Sequence, residues 1–207
     1  NHNYLLLFTE QGRCFWLRAF EIPEASKTSQ GRVLQNIISI PSDDKVRAYI
    51  KIENLNDEEF INNNYIVFCT KQGMIKKTIV EAFSRPRTNG INAITINEGD
   101  QLLEARLSNG KNEIIIADRE GRAIRFSETK VRPMGRSAAG VKAMTLGSGR
   151  DEVIGMISAD PTKADYSVFV ASEKGNGKRS PLDDYRMTNR GGKGVKTINI
   201  TDKTGDL

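Results

Sequence analysis

The chain has 207 residues and a net charge of +5, enough length for a real hydrophobic core, with no apolar run near the roughly 18 residues a membrane helix needs. Two cysteines, Cys14 and Cys69, lie 55 positions apart without a CxxC spacing, and His2 is the one histidine. That leaves little for a metal site or for Ser-His or Cys-His catalysis, and no nucleophile elbow, phosphate-binding Walker loop or zinc-protease motif is present.

The start, Asn1-His2-Asn3-Tyr4, has no signal-peptide layout and reads as a piece of a longer protein. From there four segments share one grammar. Each opens on an apolar run: Tyr4-Leu5-Leu6-Leu7-Phe8, Tyr65-Ile66-Val67-Phe68-Cys69, Ile114-Ile115-Ile116-Ala117 and Tyr166-Ser167-Val168-Phe169-Val170. A polar turn ending in Gly12, Gly73, Gly121 or Gly175 follows, which predicts a hairpin because glycine supplies positive φ. The return strand mixes cations with apolar residues, as in Met74-Ile75-Lys76-Lys77, Arg122-Ala123-Ile124-Arg125-Phe126 and Gly177-Lys178-Arg179.

A second glycine comes 17 to 19 residues after the first: Gly31, Gly90, Gly140 and Gly194. Another alternating stretch follows it, with Ile91, Ile94 and Ile96 in the second repeat, Val141, Met144 and Leu146 in the third, and Val195, Ile198 and Ile200 in the fourth. The first repeat is less regular, with Ile37, Ile38 and Ile40. An acidic turn and a last strand close the unit, over residues 44–52, 100–107 and 151–157; the fourth repeat stops at Asp206-Leu207, where that strand would begin. The polar insert at residues 54–64 is a loop or a helical turn. These marks divide the chain into repeats at about 1–56, 57–110, 111–163 and 164–207, all within one domain. Four short strands per unit predict an all-β fold built from propeller-like blades, since a plain sandwich would not repeat the same glycines and apolar steps four times.

The charge is segregated in register with the repeat. Residues 12–32, 73–90, 121–142 and 175–196 hold 20 of the 31 cations and 6 of the 26 acids, a net of +14, against −9 for the remainder. Eleven or twelve residues after the first glycine come Arg85, Arg132 and Arg186; four before the second come Lys27, Arg136 and Arg190, with Arg87 three before Gly90. Beyond the second glycine lie Arg32, Lys142 and Lys196. In a radial array equivalent positions share one surface, so a basic belt is expected along one side, and Lys76, Lys77, Arg125, Lys178 and Arg179 are counted on it. Such a belt suits duplex DNA, which carries one charge per about 1.7 Å of axis, read through phosphates with little sequence preference. The loop Arg190-Gly191-Gly192-Lys193-Gly194 either lets backbone amides approach a phosphate or is a tight turn needing its glycines for geometry alone. Trp16 reads as a core residue of a strand.

Several strings resemble the C-terminal domain of the DNA gyrase A protein, and less closely that of its topoisomerase IV counterpart. They are Gly73-Met74-Ile75-Lys76-Lys77-Thr78, Phe83-Ser84-Arg85-Pro86-Arg87-Thr88, Val131-Arg132-Pro133-Met134-Gly135 with Gly140-Val141, Gly175-Asn176-Gly177-Lys178-Arg179 with Tyr185, and Glu21-Ile22-Pro23-Glu24-Ala25. The resemblance implies a six-bladed β-pinwheel whose blades exchange strands, of which about four are present here starting from the second. It implies DNA wrapped on a basic rim in support of negative supercoiling, in bacterial cytoplasm at the nucleoid. It implies partners in the rest of the gyrase A protein and in the gyrase B protein, with no membrane, no metal and no cofactor in this chain; ATP and Mg would act through other domains, and this chain alone would catalyse nothing. The family's diagnostic box, roughly Gln-Arg-Arg-Gly-Gly-Lys-Gly, belongs to the first blade, whereas the similar Thr188-Asn189-Arg190-Gly191-Gly192-Lys193-Gly194 lies in the fourth repeat. A propeller serving as a protein-interaction platform is the rival of a different class.

Overall fold

In the computed structural model, residues 2–163 and 166–207 are described. The first hairpin joins β1 (Tyr4–Thr9) to β2 (Arg13–Arg18), and β3 (Val46–Ile52) returns along the other side of β1. After β3, Asp57 caps α1 (Glu58–Asn63), its side chain accepting from the Phe60 amide at 3.0 Å, so the polar insert is one helical turn and a half. The second hairpin is β4 (Tyr65–Thr70) and β5 (Met74–Ile79), followed by the two-residue β6 (Ile91–Asn92) and by β7 (Leu102–Ser108). The third unit repeats this with β8 (Glu113–Asp118), β9 (Arg122–Ser127), β10 (Val141–Lys142) and β11 (Val153–Ala159). The fourth supplies β12 (Ser167–Ala171), β13 (Gly177–Pro181) and β14 (Val195–Lys196).

The sheets do not coincide with the sequence repeats. Their orders are β3-β1-β2-β6, β7-β4-β5-β10 and β11-β8-β9-β14, with β12-β13 as a two-stranded fourth. Each short strand after a second glycine therefore leaves its own repeat and completes the sheet before it. β7 lies against both β3 and β11, which puts the last strand of each unit on the inside and β6, β10 and β14 on the outer rim.

The second glycine makes this exchange possible. A Cβ on Gly140 would lie 2.4 Å from the Ile75 carbonyl oxygen, and one on Gly194 would lie 2.3 Å from that of Ala123. Both also have positive φ, +97° and +73°, which L side chains rarely adopt. Gly31 has no neighbour within 4 Å of such a Cβ. In keeping with this, no short rim strand stands between it and β3 among the described residues; a single 3₁₀ turn at Leu34–Asn36 stands there instead.

Apolar layers fill the spaces between successive sheets. Between the first two, Phe8 meets Phe68 and Phe83 edge-on at 5.1 and 5.7 Å, a favoured aromatic geometry. Val67, Ile75, Ile114, Ile116 and Phe126 fill the next layer, and Ile115, Ala123, Val168, Val170 and Tyr185 the third. Cys14 and Cys69 are buried free thiols within these layers. Burial pushes both thiols up, so they behave as small apolar side chains.

The recurring acidic turn braces the hairpins. Asp44 accepts the Gln11 and Lys45 amides at 3.2 and 2.9 Å, and Asp100 accepts those of Gln72 and Gln101 at 3.0 and 2.7 Å. Asp151 does the same for the Glu120 amide at 3.3 Å and adds Gly147 at 2.7 Å. Each carboxylate ties the inner strand's entry to the adjacent hairpin turn, so the acids alternate with the cations for a structural reason.

Candidate nucleic-acid interface

The loops leading into β6, β10 and β14 run along the outer rim, and they carry the recurring cations. Arg85 and Arg87 precede β6, Arg132 and Arg136 precede β10, and Arg186 and Lys193 precede β14; all six are exposed. Lys142 and Lys196 sit in the outer strands themselves and are exposed too, as are Lys27 and Arg32 in the first repeat and Lys178 and Arg179 on β13. Pairing places Lys142 opposite Met74, and Lys196 opposite Arg122. At the second of these a cation of one repeat thus stands beside a cation of another.

Three expected rim residues do other work. Lys76 and Lys77 are 0% and 4% exposed. The Lys77 ammonium crosses to the next sheet, where it donates to the Glu128 carbonyl at 3.1 Å and pairs with its carboxylate at 3.4 Å. Glu128 in turn accepts from Ser108 and from the Asn112 amide. Arg125 takes the same step one sheet later. Its guanidinium pairs with Glu113 at 2.7 Å and donates to the Leu182 and Tyr185 carbonyls at 2.9 and 3.0 Å. In the first sheet Trp16 fills that step, donating its indole N–H to the Phe83 carbonyl at 2.9 Å. Four residues past the first glycine, each of these three hairpins therefore sends one donor to the 3₁₀ turn of the following repeat. A buried charge needs such pairing, which is why two cations at this step are withdrawn from the rim.

Lys76 points the other way, across the Phe68 ring at 5.6 Å. It donates to the Ala93 carbonyl and, at 2.8 Å, to the Arg136 carbonyl. Burial, helped by the Arg136 charge, pulls its amine down to about 7.

The Arg190 loop is anchored rather than free. Arg190 Nε donates to the Lys130 carbonyl at 3.1 Å and Nη1 to that of Lys142 at 3.0 Å. The Gly191 amide donates to the Ala143 carbonyl, while the Gly191 and Gly192 carbonyls accept from Thr145. The preceding loop is fastened in the same manner, Thr95 bonding to the Ser137 and Ala138 carbonyls. Gly194 serves strand docking, as above. Two cations that were not expected on the belt also lie here: exposed Lys130, whose carbonyl Arg190 grips, and Arg122, opposite Lys196. Lys130 has no cationic counterpart in the other repeats, so its signal was the charge excess of the 121–142 segment; Arg122 directly follows its repeat's first glycine, as Arg13 does. Among the described residues no group of three or more His, Cys, Asp or Glu could hold a metal ion, and no helix is long and apolar enough to cross a membrane.

Radially stacked antiparallel sheets, the first three each closed at the rim by the repeat that follows and lined there with arginine, define a β-pinwheel of the propeller-like class. The chain matches the family model described as the DNA gyrase C-terminal domain, beta-propeller, over residues 3–61, 64–109, 113–160 and 166–207, and it belongs to that family. It is 42% identical over 206 residues to the DNA gyrase A protein of Staphylococcus epidermidis and 41% identical to that of Staphylococcus aureus. All of this chain is covered in those matches, but it spans only 22% of the relatives' length. Among solved structures, the C-terminal domain of DNA topoisomerase IV superposes with a TM-score of 0.85 at 30% identity, covering 99% of this chain and 61% of that one. A DNA gyrase A C-terminal domain shares the fold, with a TM-score of 0.79 at 22% identity over 99% of this chain and 64% of that one.

Proposed function

We propose that the outer rim binds and bends duplex DNA through phosphate contacts, with little dependence on sequence, in support of supercoiling by a gyrase. The observation that carries this reading is the recurrence of exposed arginines in the loops ahead of β6, β10 and β14. Equivalent steps on successive sheets turn a repeat in sequence into a track in space, as a polyanion requires. Contacts come from Arg85, Arg87, Arg132, Arg136, Arg186 and Lys193, flanked by Lys142 and Lys196; Arg190 adds charge from a fixed position. Lys76, Lys77 and Arg125 support the rim from within and touch no phosphate. The chain contributes binding and shape, needing no cofactor. Strand cleavage and ATP use belong to other parts of the gyrase A protein and to the gyrase B protein, its partners in the bacterial cytoplasm.

The test is a titration of the domain with short duplexes across a range of salt concentrations. Reversal of Arg85, Arg132 and Arg186 to Glu should remove about three phosphate contacts and lower the log–log salt slope by about 3. Reversal of Lys45, Lys51 and Lys163 should leave it within about one of the parent. Affinity that ignores salt, or equal loss in the two triple variants, would overturn the reading.

A further inference from the structure

Lys76 stands where the neighbouring hairpins carry no buried cation: three residues past the first glycine, the first repeat has Phe15 and the third Ile124, both buried apolar residues. Its amine bonds to no carboxylate. It meets two carbonyls instead, one from Ala93 beside its own rim strand and one from Arg136 in the next repeat's rim loop. Asn92 adds a side-chain bond to the same Arg136 carbonyl at 3.4 Å. The loop bearing Arg132 and Arg136 is thus tied down at its backbone by a buried amine, while the Arg136 side chain is exposed.

We infer that Lys76 is a positioning residue for this part of the rim, and that a DNA phosphate docking on Arg136 draws a proton onto the Lys76 amine. The inference rests on DNA binding at the rim.

A neutral amine has two N–H groups and satisfies both carbonyls, so the tie holds in either protonation state. The surroundings decide how readily the third proton is taken. From β4 the Phe68 ring faces the amine, and from the turn after β6 the Ala93 carbonyl does. From the third-repeat loop comes the Arg136 charge, which also acts on the buried Cys14 thiol of β2. Cys14 stays a neutral thiol, its burial pushing it up, and Lys77 on the same strand points to Glu128 instead. Arg136 is therefore the charge acting on this amine, and it disfavours protonation. A phosphate paired with Arg136 cancels that repulsion and adds negative charge of its own. Since the free amine sits at about 7, its proton occupancy is incomplete in free protein and rises on binding. By linkage, affinity falls as pH rises from 7 toward the higher value in the complex.

The experiment compares the parent domain with Lys76→Met, each also carrying His2→Asn to remove the one histidine. Duplex affinity is measured at constant salt from pH 7 to 9. The parent should lose about fivefold in affinity over that window, and K76M should be flat. Calorimetry in two buffers of different ionisation enthalpy should show uptake of about half a proton per rim site near pH 7.5 in the parent and none in K76M, a signature a purely structural lysine would not move. Equal pH slopes in the two proteins, or parent binding without proton uptake, would overturn the inference while leaving DNA binding intact. Absence of binding at every pH would instead remove the reading it rests on. If K76M does not fold, the parent's proton uptake alone decides, and Lys76→Ile, the residue of the third repeat, supplies the second variant.

Discussion

Asp118 offers a sharp test of how the hairpin turns are built. It ends β8 with no solvent exposure, and its Oδ1 accepts the Arg122 amide at 2.8 Å. Its Oδ2 is buried without a partner. Burial, with Asp151 and Glu120 nearby, pushes the carboxyl up from 3.8 to about 6. At the same step the first two repeats have Thr9 and Thr70, whose hydroxyls accept the Arg13 and Met74 amides at 3.2 and 3.1 Å. Asp118→Thr therefore keeps the turn's bond and removes the charge. A carboxyl raised from 3.8 to about 6 is bound to its proton more tightly in the folded state than in the unfolded one. Its favourable contribution is fully present below about pH 4 and is lost as pH rises through 6. The loss amounts to about 3 kcal/mol at neutral pH. D118T should accordingly be more stable than the parent by about 2 kcal/mol at pH 7.5 and no more stable at pH 4.5. Urea denaturation followed by circular dichroism at both pH values measures this, because carboxylates common to the two proteins cancel in the difference. A gain of equal size at both pH values, or a loss at pH 7.5, would refute the reasoning.

Two further outcomes follow from the rim's construction. Lys77→Ala leaves Glu128 charged and buried with no ion partner and should cost about 3–5 kcal/mol in urea denaturation; Lys77→Met with Glu128→Gln should cost clearly less than the two single changes added. Gly194→Ala places a methyl 2.3 Å from the Ala123 carbonyl and should lower the melting temperature by several degrees. Gly192→Ala meets nothing nearer than Ile124 Cδ1 at 3.6 Å and should melt within about a degree of the parent.

The hairpins and inner strands were legible because each rests on a local signal: an apolar run, a glycine with positive φ, an alternating return. The charge track was legible because it repeats. Strand ownership was not legible in the pattern itself, since alternation at Val141-Lys142 or Val195-Lys196 looks the same whichever sheet the strand joins; only the family resemblance implied the exchange that the sheets show. Nor was the burial of Lys76 and Lys77. Their partners, Arg136 and Glu128, lie 60 and 51 residues away, and only the stacking of sheets brings those carbonyls within reach. A Lys-Lys pair on a return strand otherwise looks like a solvated face. The Arg190 loop was half legible: its glycines announced a turn, but that Gly194 exists to clear a neighbouring backbone needs the preceding sheet in place.

Because each sheet borrows its outermost strand from the next repeat, the chain works like overlapping roof tiles: no tile is weathertight without its neighbour. Inserting or deleting one whole repeat lengthens or shortens core and rim together and preserves every overlap. A cut within a repeat strips an edge from the sheet before it. Lineages that vary this array should therefore change in whole units of about 50 residues, with the cationic step length held constant by the stacking of the tiles.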